Sequence, residues 1–417
     1  MAAPCVITSF SLAGEGRPAP SNRITMACIG LGGEGMGKNL NTFLHQPDAQ
    51  VLAVCDVDPE RLSQGRSMTE SQYGKSAPAG TYKGCGTYKD FREVLARDDI
   101  DAVMISSPDH WHCLMSVMAV RAGKDVICEK PTLTVQEGRT NSNTVKRYGA
   151  VFQTSTEDRS LPMYHRMAEL VRNGRIGKLQ RILVKLPAGP GGPGDPTPRP
   201  VPQGFDYDMW LGPAPWAPYT PGRIHFNFRW ITDYSGGMLT DWGAHLLDTA
   251  QWANDTERSG PVEVSGTGKC HSGGLYNTHY EYHLEYKYAS GVELIVDSGG
   301  TSLKFEGTAG WVGNAGWTAA VEASSPEILK STIGPGEIHL YTCPAGEHRN
   351  FLDCVKSRRE PYFPAEIGHR CATVMHIGNI AMWLGRKLRW DAVAEHFVDD
   401  PGADRFLSRA MRAPWRF

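Results

Sequence analysis

Short apolar runs alternate with amphipathic stretches through the first third of the chain. Ile24-Thr-Met-Ala-Cys-Ile29 is continuous enough for a strand covered on both faces, and it ends in a glycine-rich turn, Gly30-Leu-Gly-Gly-Glu-Gly-Met-Gly37. The spacing from Met36 to His45 predicts a helix, and Val51 to Cys55 a second strand that stops at Asp56. Phe91 to Arg97 (helix), Ala102 to Ile105 (strand), His112 to Gly123 (helix), Val126 to Cys128 (strand) and Val135 to Tyr148 (helix) continue the alternation. Ala150 to Gln153 supplies a closing strand. Strands that alternate with helices make a parallel sheet with helices on both faces.

After Gln153 the period changes. Tyr164 to Asn173 is an amphipathic helix stopped by Gly174, and Gln180 to Leu186 reads as a strand. Pro187 to Pro202 is so rich in proline and glycine that it can only be a loop, lying over the surface or over a site. Beyond Pro261, period-two alternation in Val262 to Lys269, Tyr280 to Tyr288 and Val292 to Val296 predicts antiparallel strands with one covered face. Glu366 to Leu384 predicts a last helix.

Composition narrows this little. With 417 residues there is enough chain for two cored domains, and 41% hydrophobic with 21% charged residues is ordinary for a globular protein. A net charge of −2 gives no electrostatic case for nucleic acid or an anionic membrane, and no apolar run approaches the roughly 20 residues of a membrane helix. Residues 1–22 stand apart: a small apolar stretch, Ala2 to Ala13, then a Gly/Pro/Ser-rich stretch, which reads as the tail of an export signal, with a cytosolic extension as the alternative. The ten cysteines form no CxxC pair, and Cys28, Cys55 and Cys128 fall on expected central strands as buried free thiols.

Several places could bear chemistry. Gly30-x-Gly32-x-x-Gly35, between a strand and a helix, lets backbone N–H groups approach a pyrophosphate. Asp56, at the end of the second strand, suits ribose hydroxyls and repels a 2′-phosphate, so NAD(H) is expected over NADP(H). Ser106 to His112 follows the third strand at the same edge; His110 and His112 lack a third ligand of convincing spacing, so this loop is expected to cap a helix and line a nicotinamide pocket without metal. Glu129-Lys130-Pro131 ends the next strand at that edge, where a lysine can reach a nicotinamide and a substrate hydroxyl beside it. Asp241 and His245 are i and i+4, and a carboxylate-supported imidazole can take a hydroxyl proton near neutral pH. His279, Glu281, His283 and Glu285 share one face of an expected strand and are read as a sheet surface rather than a metal site.

Together these pieces resemble the Gfo/Idh/MocA oxidoreductases, named for glucose-fructose oxidoreductase, inositol dehydrogenase and a rhizopine catabolism protein. The resemblance covers nearly the whole chain after residue 22: the glycine loop, Ser107 to His112, Ala122 to Val126, Cys128-Glu-Lys-Pro131, and Gly236-Gly-Met-Leu-Thr-Asp-Trp-Gly-Ala-His245. Arg349 to Arg358 and Ile377 to Ala381 look like an exported branch common in glycan-degrading bacteria. The resemblance implies a Rossmann NAD-binding domain over 23–152 and, over 153–417, an α/β domain whose large, mostly antiparallel open sheet binds substrate and makes subunit contacts. It also implies Gly30, Gly32, Gly35, Met36, Asp56, Ser107, Pro108, His110, Glu129 and Lys130 around the cofactor, with Lys130, Asp241 and His245 catalytic. Trp111, Glu157, Arg159, Asp241 and His245 are expected on the substrate. One departure stands out: Thr156-Glu157-Asp158-Arg159 occupies a stretch where relatives often carry paired glutamines, giving a more acidic pocket wall.

The expectation is an NAD-dependent oxidoreductase acting on a secondary hydroxyl of a sugar or glycoside, at C3, with the cofactor retained. His245 removes the hydroxyl proton with Asp241 orienting it, while Lys130 holds the reacting oxygen. A periplasmic location reached by the twin-arginine route, with the cytoplasm as the alternative, and a dimer or tetramer complete the picture. Two rival readings are an NAD-dependent glycosidase working through a transient 3-keto sugar and a non-catalytic sugar- or nucleotide-binding protein.

Overall fold

A computed structural model describes residues 22–75 and 84–417; the leader-like stretch before residue 22 lies outside the described residues. Six strands form the first sheet: β1 (Ile24–Ile29), β2 (Ala49–Cys55), β3 (Gly86–Tyr88), β4 (Ala102–Ile105), β5 (Asp125–Glu129) and β6 (Phe152–Ser155). They lie in the order β3-β2-β1-β4-β5-β6, and every pairing is parallel. The order reverses between β1 and β4, which opens a crevice at their C-terminal ends, where dinucleotides bind in such folds.

Local chemistry accounts for the helix ends, and the structure departs from the sequence reading at three places. Thr134 caps the helix Val135–Tyr148 through Glu137 N (3.2 Å), and Gly149 ends it at φ +64°. The fourth helix of this domain starts at Asp109 rather than His112, because Pro108 is extended and releases the helix at once, so His110, Trp111 and His112 are helical. The last strand lies two residues further on than Ala150 to Gln153. The helix Pro59–Gly74 carries no apolar stripe; it buries Gly65, Thr69 and Tyr73, and a Cβ at Gly65 would stand 2.7 Å from Leu31 Cδ1. A small-residue face of this kind escapes a search for hydrophobic period.

The second sheet has nine strands: β7 (Leu179–Leu186), β8 (Glu263–Lys269), β9 (Glu281–Lys287), β10 (Glu293–Ser298), β11 (Leu303–Gly307), β12 (Gly310–Asn314), β13 (Val321–Ala323), β14 (Leu388–Asp391) and β15 (His396–Phe397). Their order is β13-β12-β11-β7-β10-β9-β8-β14-β15, with β7 and β10 parallel and the other pairs antiparallel. Along β9, Tyr282, Leu284 and Tyr286 are buried while Glu281, His283 and Glu285 are exposed. The buried face packs under the helices Pro162–Arg172, Gly243–Ala253 and Ala365–Leu384 in one core. On the open face His283 pairs with Asp297 (2.7 Å), and among the described residues no cluster of metal-binding side chains occurs. The nine described cysteines are all free thiols.

Two later segments tie the sheets together and frame the crevice. The helix Glu347–Ser357 sends Phe351 and Leu352 into the core of the first sheet, and Arg349 pairs with Asp48 (2.7 Å). Residues 187–206 hold no regular structure, as their composition predicts, and are strapped down by Gly189 N–H to Tyr280 O (2.8 Å) and Leu275 N–H to Pro193 O (2.7 Å). The aromatic segment that follows packs Trp210 and Tyr234 over His110.

Candidate active site

The C-terminal edge of the parallel sheet opens into a cleft of about 670 Å³ that runs from the glycine turn to the helices of the second domain. At one end Gly30 turns at φ +86°, and a Cβ there would lie 2.6 Å from the Ser106 backbone. A Cβ on Gly35 would lie 2.1 Å from Gly30 O, so these two glycines close the turn. Gly33 meets nothing within 4 Å and faces the cleft. Asp56 accepts N–H bonds from Leu31 (2.6 Å) and Asp58 (2.8 Å); burial pushes its pKa up, and these donors pull against that. Ser107 Oγ is buried beside the cleft with no partner among the described residues. Across the edge from β2 through β1 to β4, a ribose-side carboxylate, a bare N–H turn and an unpaired hydroxyl fit the adenosine ribose, pyrophosphate and nicotinamide side of NAD in that order.

The first helix opens with a π turn, Gly35–Leu40, which aims two side chains the sequence reading overlooked. Lys38 reaches Glu157 (2.9 Å) and Glu347 (3.0 Å), and Asn39 donates to Glu129 Oε1 (2.9 Å). Burial opposes ionisation of Glu157, but His245 and Lys38 outweigh it and hold its pKa at about 2.

At the far end Lys130, delivered by β5, donates to Asp241 Oδ1 (2.8 Å) and to the Asp241 main-chain oxygen (2.9 Å). Asp241 Oδ2 faces Arg229 Nε at 3.2 Å. Burial works against the Lys130 charge, yet the Asp241 and Glu129 carboxylates prevail and its pKa is raised. Burial likewise opposes the Asp241 charge, and Lys130 and Arg229 overcome it, holding that carboxyl far below the usual range. His245 stands alongside, its Nδ1 2.7 Å from Asp158 Oδ2, with the rings of Trp242 and Trp317 at 5.8 and 5.1 Å. A lysine–carboxylate pair and an imidazole–carboxylate pair thus sit side by side at the end of the dinucleotide cleft.

This corrects several sequence-based expectations. Asp241 does not orient His245. The helix Met238–Asp241 ends before Gly243–Ala253 begins, so the two are not on one continuous helical face, and the carboxylate against His245 Nδ1 is that of Asp158. Arg159 does not reach the cleft: its guanidinium grips Asp248 at 2.7 Å through both Nε and Nη2, donates to Tyr362 O (2.8 Å), and lies between Trp252 and Phe363. Met36 packs against the first core instead of lining the cleft. His110 turns inward to Trp210 O (3.0 Å), and burial pushes its pKa down to about 3, so it is a neutral core histidine. Gly30, Gly32, Gly35, Asp56, Ser107, Pro108, Trp111, Glu129, Lys130, Glu157, Asp241 and His245 all border the cleft.

A parallel sheet of this order, with its cleft at the point where the order reverses, defines an NAD-binding Rossmann domain. Comparison with known proteins agrees. "Oxidoreductase family, NAD-binding Rossmann fold" matches residues 24–156, and "Oxidoreductase family, C-terminal alpha/beta domain" matches residues 191–417. The chain belongs to the Gfo/Idh/MocA oxidoreductase family. It is 25% identical over 233 residues to D-glucoside 3-dehydrogenase of Escherichia coli (strain K12), covering 56% of this chain and 54% of that one. It is 34% identical over 115 residues to a Glycosyl hydrolase family 109 protein of Shewanella pealeana, covering 27% of this chain and 24% of that one. The chain therefore spans about half or less of the length of these curated relatives. Among solved structures, an aldose-aldose oxidoreductase from Caulobacter crescentus superposes with TM-score 0.62 at 18% identity, covering 88% of this chain and 99% of that one. GenD2 from gentamicin A biosynthesis, in complex with NAD, gives TM-score 0.66 at 17% identity, covering 89% and 97%. Among the described residues no helix is long and apolar enough to cross a membrane.

Proposed function

We propose that this protein oxidises, and in reverse reduces, a secondary hydroxyl of a pyranose or pyranoside, at C3, with NAD as the redox partner. One observation carries the reading: Lys130, His245 and Asp241 converge where the dinucleotide cleft meets the second domain. NAD, when bound, supplies the hydride acceptor. Lys130 is a fixed cation with three donors, two of them spent on Asp241, and its remaining N–H holds the reacting oxygen. His245 has Nδ1 engaged by Asp158, which leaves Nε2 to take the hydroxyl proton. Trp242 and Trp317 offer apolar faces for the C–H side of a sugar ring, and Glu157 offers an ionised acceptor for neighbouring hydroxyls. The E. coli relative named D-glucoside 3-dehydrogenase supports C3 as the oxidised carbon.

The reading extends to export, on the composition of residues 2–13, and to self-association of a dimer or tetramer through the open face of the large sheet. Free NAD is scarce outside the cytoplasm, so an exported enzyme would keep its cofactor through turnover and re-oxidise it with a second carbonyl compound. A second reading has one observation in its favour: relatives named Glycosyl hydrolase family 109 match at up to 34% identity. In it, oxidation at C3 acidifies the C2 proton, the aglycone is eliminated, water adds, and the ketone is reduced back, giving net hydrolysis.

The test begins with protein purified without added nucleotide, from which any bound dinucleotide is released and identified. Nicotinamide absorbance is then followed as a panel of pyranosides is added. Reduction on adding one sugar class supports the oxidoreductase; aglycone release without accumulated reduction supports the hydrolase; tight sugar binding without either points to a non-catalytic protein. In Lys130→Met, turnover should fall by about 10²–10⁴-fold while NAD affinity holds within a few-fold. Unchanged turnover removes Lys130 from the chemistry.

A further inference from the structure

Asp158 is the residue whose position the proposed reaction does not yet explain. Its carboxylate is wholly buried, which is expensive unless the charge is paired and bonded. One oxygen has a partner, His245 Nδ1 at 2.7 Å; the other, Oδ1, is buried without any among the described residues. The 3-10 turn Asp158–Ser160 that carries it follows directly on β6 and is anchored by its neighbours, with Arg159 locked on Asp248 and Ser160 Oγ bonded to the Tyr362 hydroxyl (2.8 Å). A fixed turn thus presses a desolvated carboxylate against the inner nitrogen of a histidine whose outer edge borders the cleft.

We infer that Asp158 is the positioning residue for His245: it holds the Nδ1–H tautomer, aims Nε2 into the cleft, and stabilises the imidazolium formed when Nε2 takes the substrate proton. The inference rests on the reading of His245 as the base. Asp241 cannot serve in its place, since its two oxygens are held by Lys130 and Arg229. Nor can Glu157, whose carboxylate is drawn to Lys38. The proton balance is simple: one proton leaves the carbinol oxygen for Nε2, Nδ1 keeps its own, and Asp158 stays ionised. Around His245 the charged groups are Asp158 and Glu157 from the turn after β6, Asp241 from the helix Met238–Asp241, and, one contact further out, Lys38, Lys130 and Arg229. Asp158 is the one among them bonded to the ring. Burial raises the pKa of Asp158, and the neighbouring His245 pulls it back, as expected of a carboxylate kept charged by the imidazole it supports.

The experiment compares wild type, Asp158→Asn, His245→Ala and the double variant, all as full chains with NAD. In Asp158→Asn the amide preserves shape but removes the charge and can donate to Nδ1, which turns the ring to the wrong tautomer. The expected result is a fall in kcat of about 10²–10⁴-fold with KM for the sugar and NAD affinity within about three-fold, and an acid limb of kcat/KM moved to lower pH by about one unit or more. Asp158→Asn should add nothing to His245→Ala. A pH profile and kcat left at wild-type values, or a further ten-fold loss in the His245→Ala background, overturns the inference. Full activity in His245→Ala instead overturns the reading of the base itself, so the two failures are distinguishable. An unfolded Asp158→Asn would show as lost NAD binding; Asp158→Glu then serves, since a longer carboxylate that restores the acid limb without restoring kcat supports the role and one that restores neither refutes it.

Discussion

Replacing Arg159 with Met tests whether this residue belongs to the fold or to the substrate. Its guanidinium is 2% exposed and makes a two-pronged bond to Asp248, itself wholly buried, with both contacts at 2.7 Å. Removing one partner of such a pair leaves a buried charge, at about 3–5 kcal/mol. Burial already pushes Asp248 up to about 6 against the pull of Arg159, so without the arginine the carboxyl protonates near neutral pH and the loss falls at the lower end, about 3 kcal/mol. For a domain of this size that lowers the unfolding temperature by about 6 °C or more. The sign with pH also follows: with its folded pKa above its unfolded one, Asp248 costs the variant most above that folded pKa. The gap to wild type should therefore widen as pH rises from about 5 to 8. Unfolding is followed by circular dichroism at fixed NAD concentration, with sugar kinetics run in parallel. Asp248→Leu added to Arg159→Met should recover part of the loss, because an apolar pair can replace a buried ionic one. An Arg159→Met protein that melts within about 1 °C of wild type but shows a raised KM for the sugar would refute the structural role.

Two further outcomes are expected. Gly33→Ala meets no neighbour within 4 Å, so stability should hold while NAD affinity drops by about ten-fold or more as the added methyl enters the dinucleotide path; Gly30→Ala, 2.6 Å from the Ser106 backbone, should lose stability too. Unchanged NAD affinity in Gly33→Ala, read by titration, would move the pyrophosphate elsewhere. Asp48 and Glu395, drawn down to about 2 by their bonds with Arg349 and Lys356 and with His369 and Arg139 against the opposing effect of burial, give stability that is present above pH about 4.5 and lost as pH falls toward 2. The urea midpoint should fall over that window, less steeply in Asp48→Asn; equal slopes would remove Asp48 from the linkage.

The parallel sheet was legible because its strands are buried on both faces and read as unbroken apolar runs: β1 and β4 have the bounds their patterns predict. Asp56, Lys130 and His245 were legible because strand ends and a short motif fix where they go. The partners of these residues were not. Asp158 pairs with His245 across 87 residues and Arg229 reaches Asp241 from a 3-10 turn, Phe-Asn-Phe-Arg, with no period of its own. An i, i+4 spacing suggested Asp241 for His245, but the helix breaks between them, and sequence spacing predicts a contact only on an unbroken helix. Arg159 was misplaced for a related reason. The resemblance placed it on the substrate, while its neighbours Trp252 and Phe363 lie far along the chain, where no local pattern announces them. The one local hint was chemical, in that Glu157-Asp158 put two carboxylates where a polar neutral pair would do, which asks for cations or imidazoles nearby.

In the proposed reaction Lys130 and His245 cannot trade roles, and the asymmetry comes from their carboxylates. Asp241 and Glu129 keep Lys130 protonated despite its burial, and an ammonium has donors but no acceptor. It can stabilise charge developing on the carbinol oxygen, but it cannot take the first proton. In the proposed reading His245 has the complementary endowment, since Nδ1 bonded to Asp158 leaves Nε2 to accept a proton. Lys130→Arg separates the two functions. Arginine keeps the charge, but its planar fork cannot bond Asp241 Oδ1 and the Asp241 main-chain oxygen while leaving a donor at the same point in the cleft. The acid limb of the pH–rate profile, which belongs to the base, should therefore stay where it is in Lys130→Arg while kcat drops by about 10²-fold or more. An acid limb displaced in Lys130→Arg, with kcat recovering as the pH is raised, would mean that the lysine takes part in proton removal, and the division of labour between the two pairs would have to be abandoned.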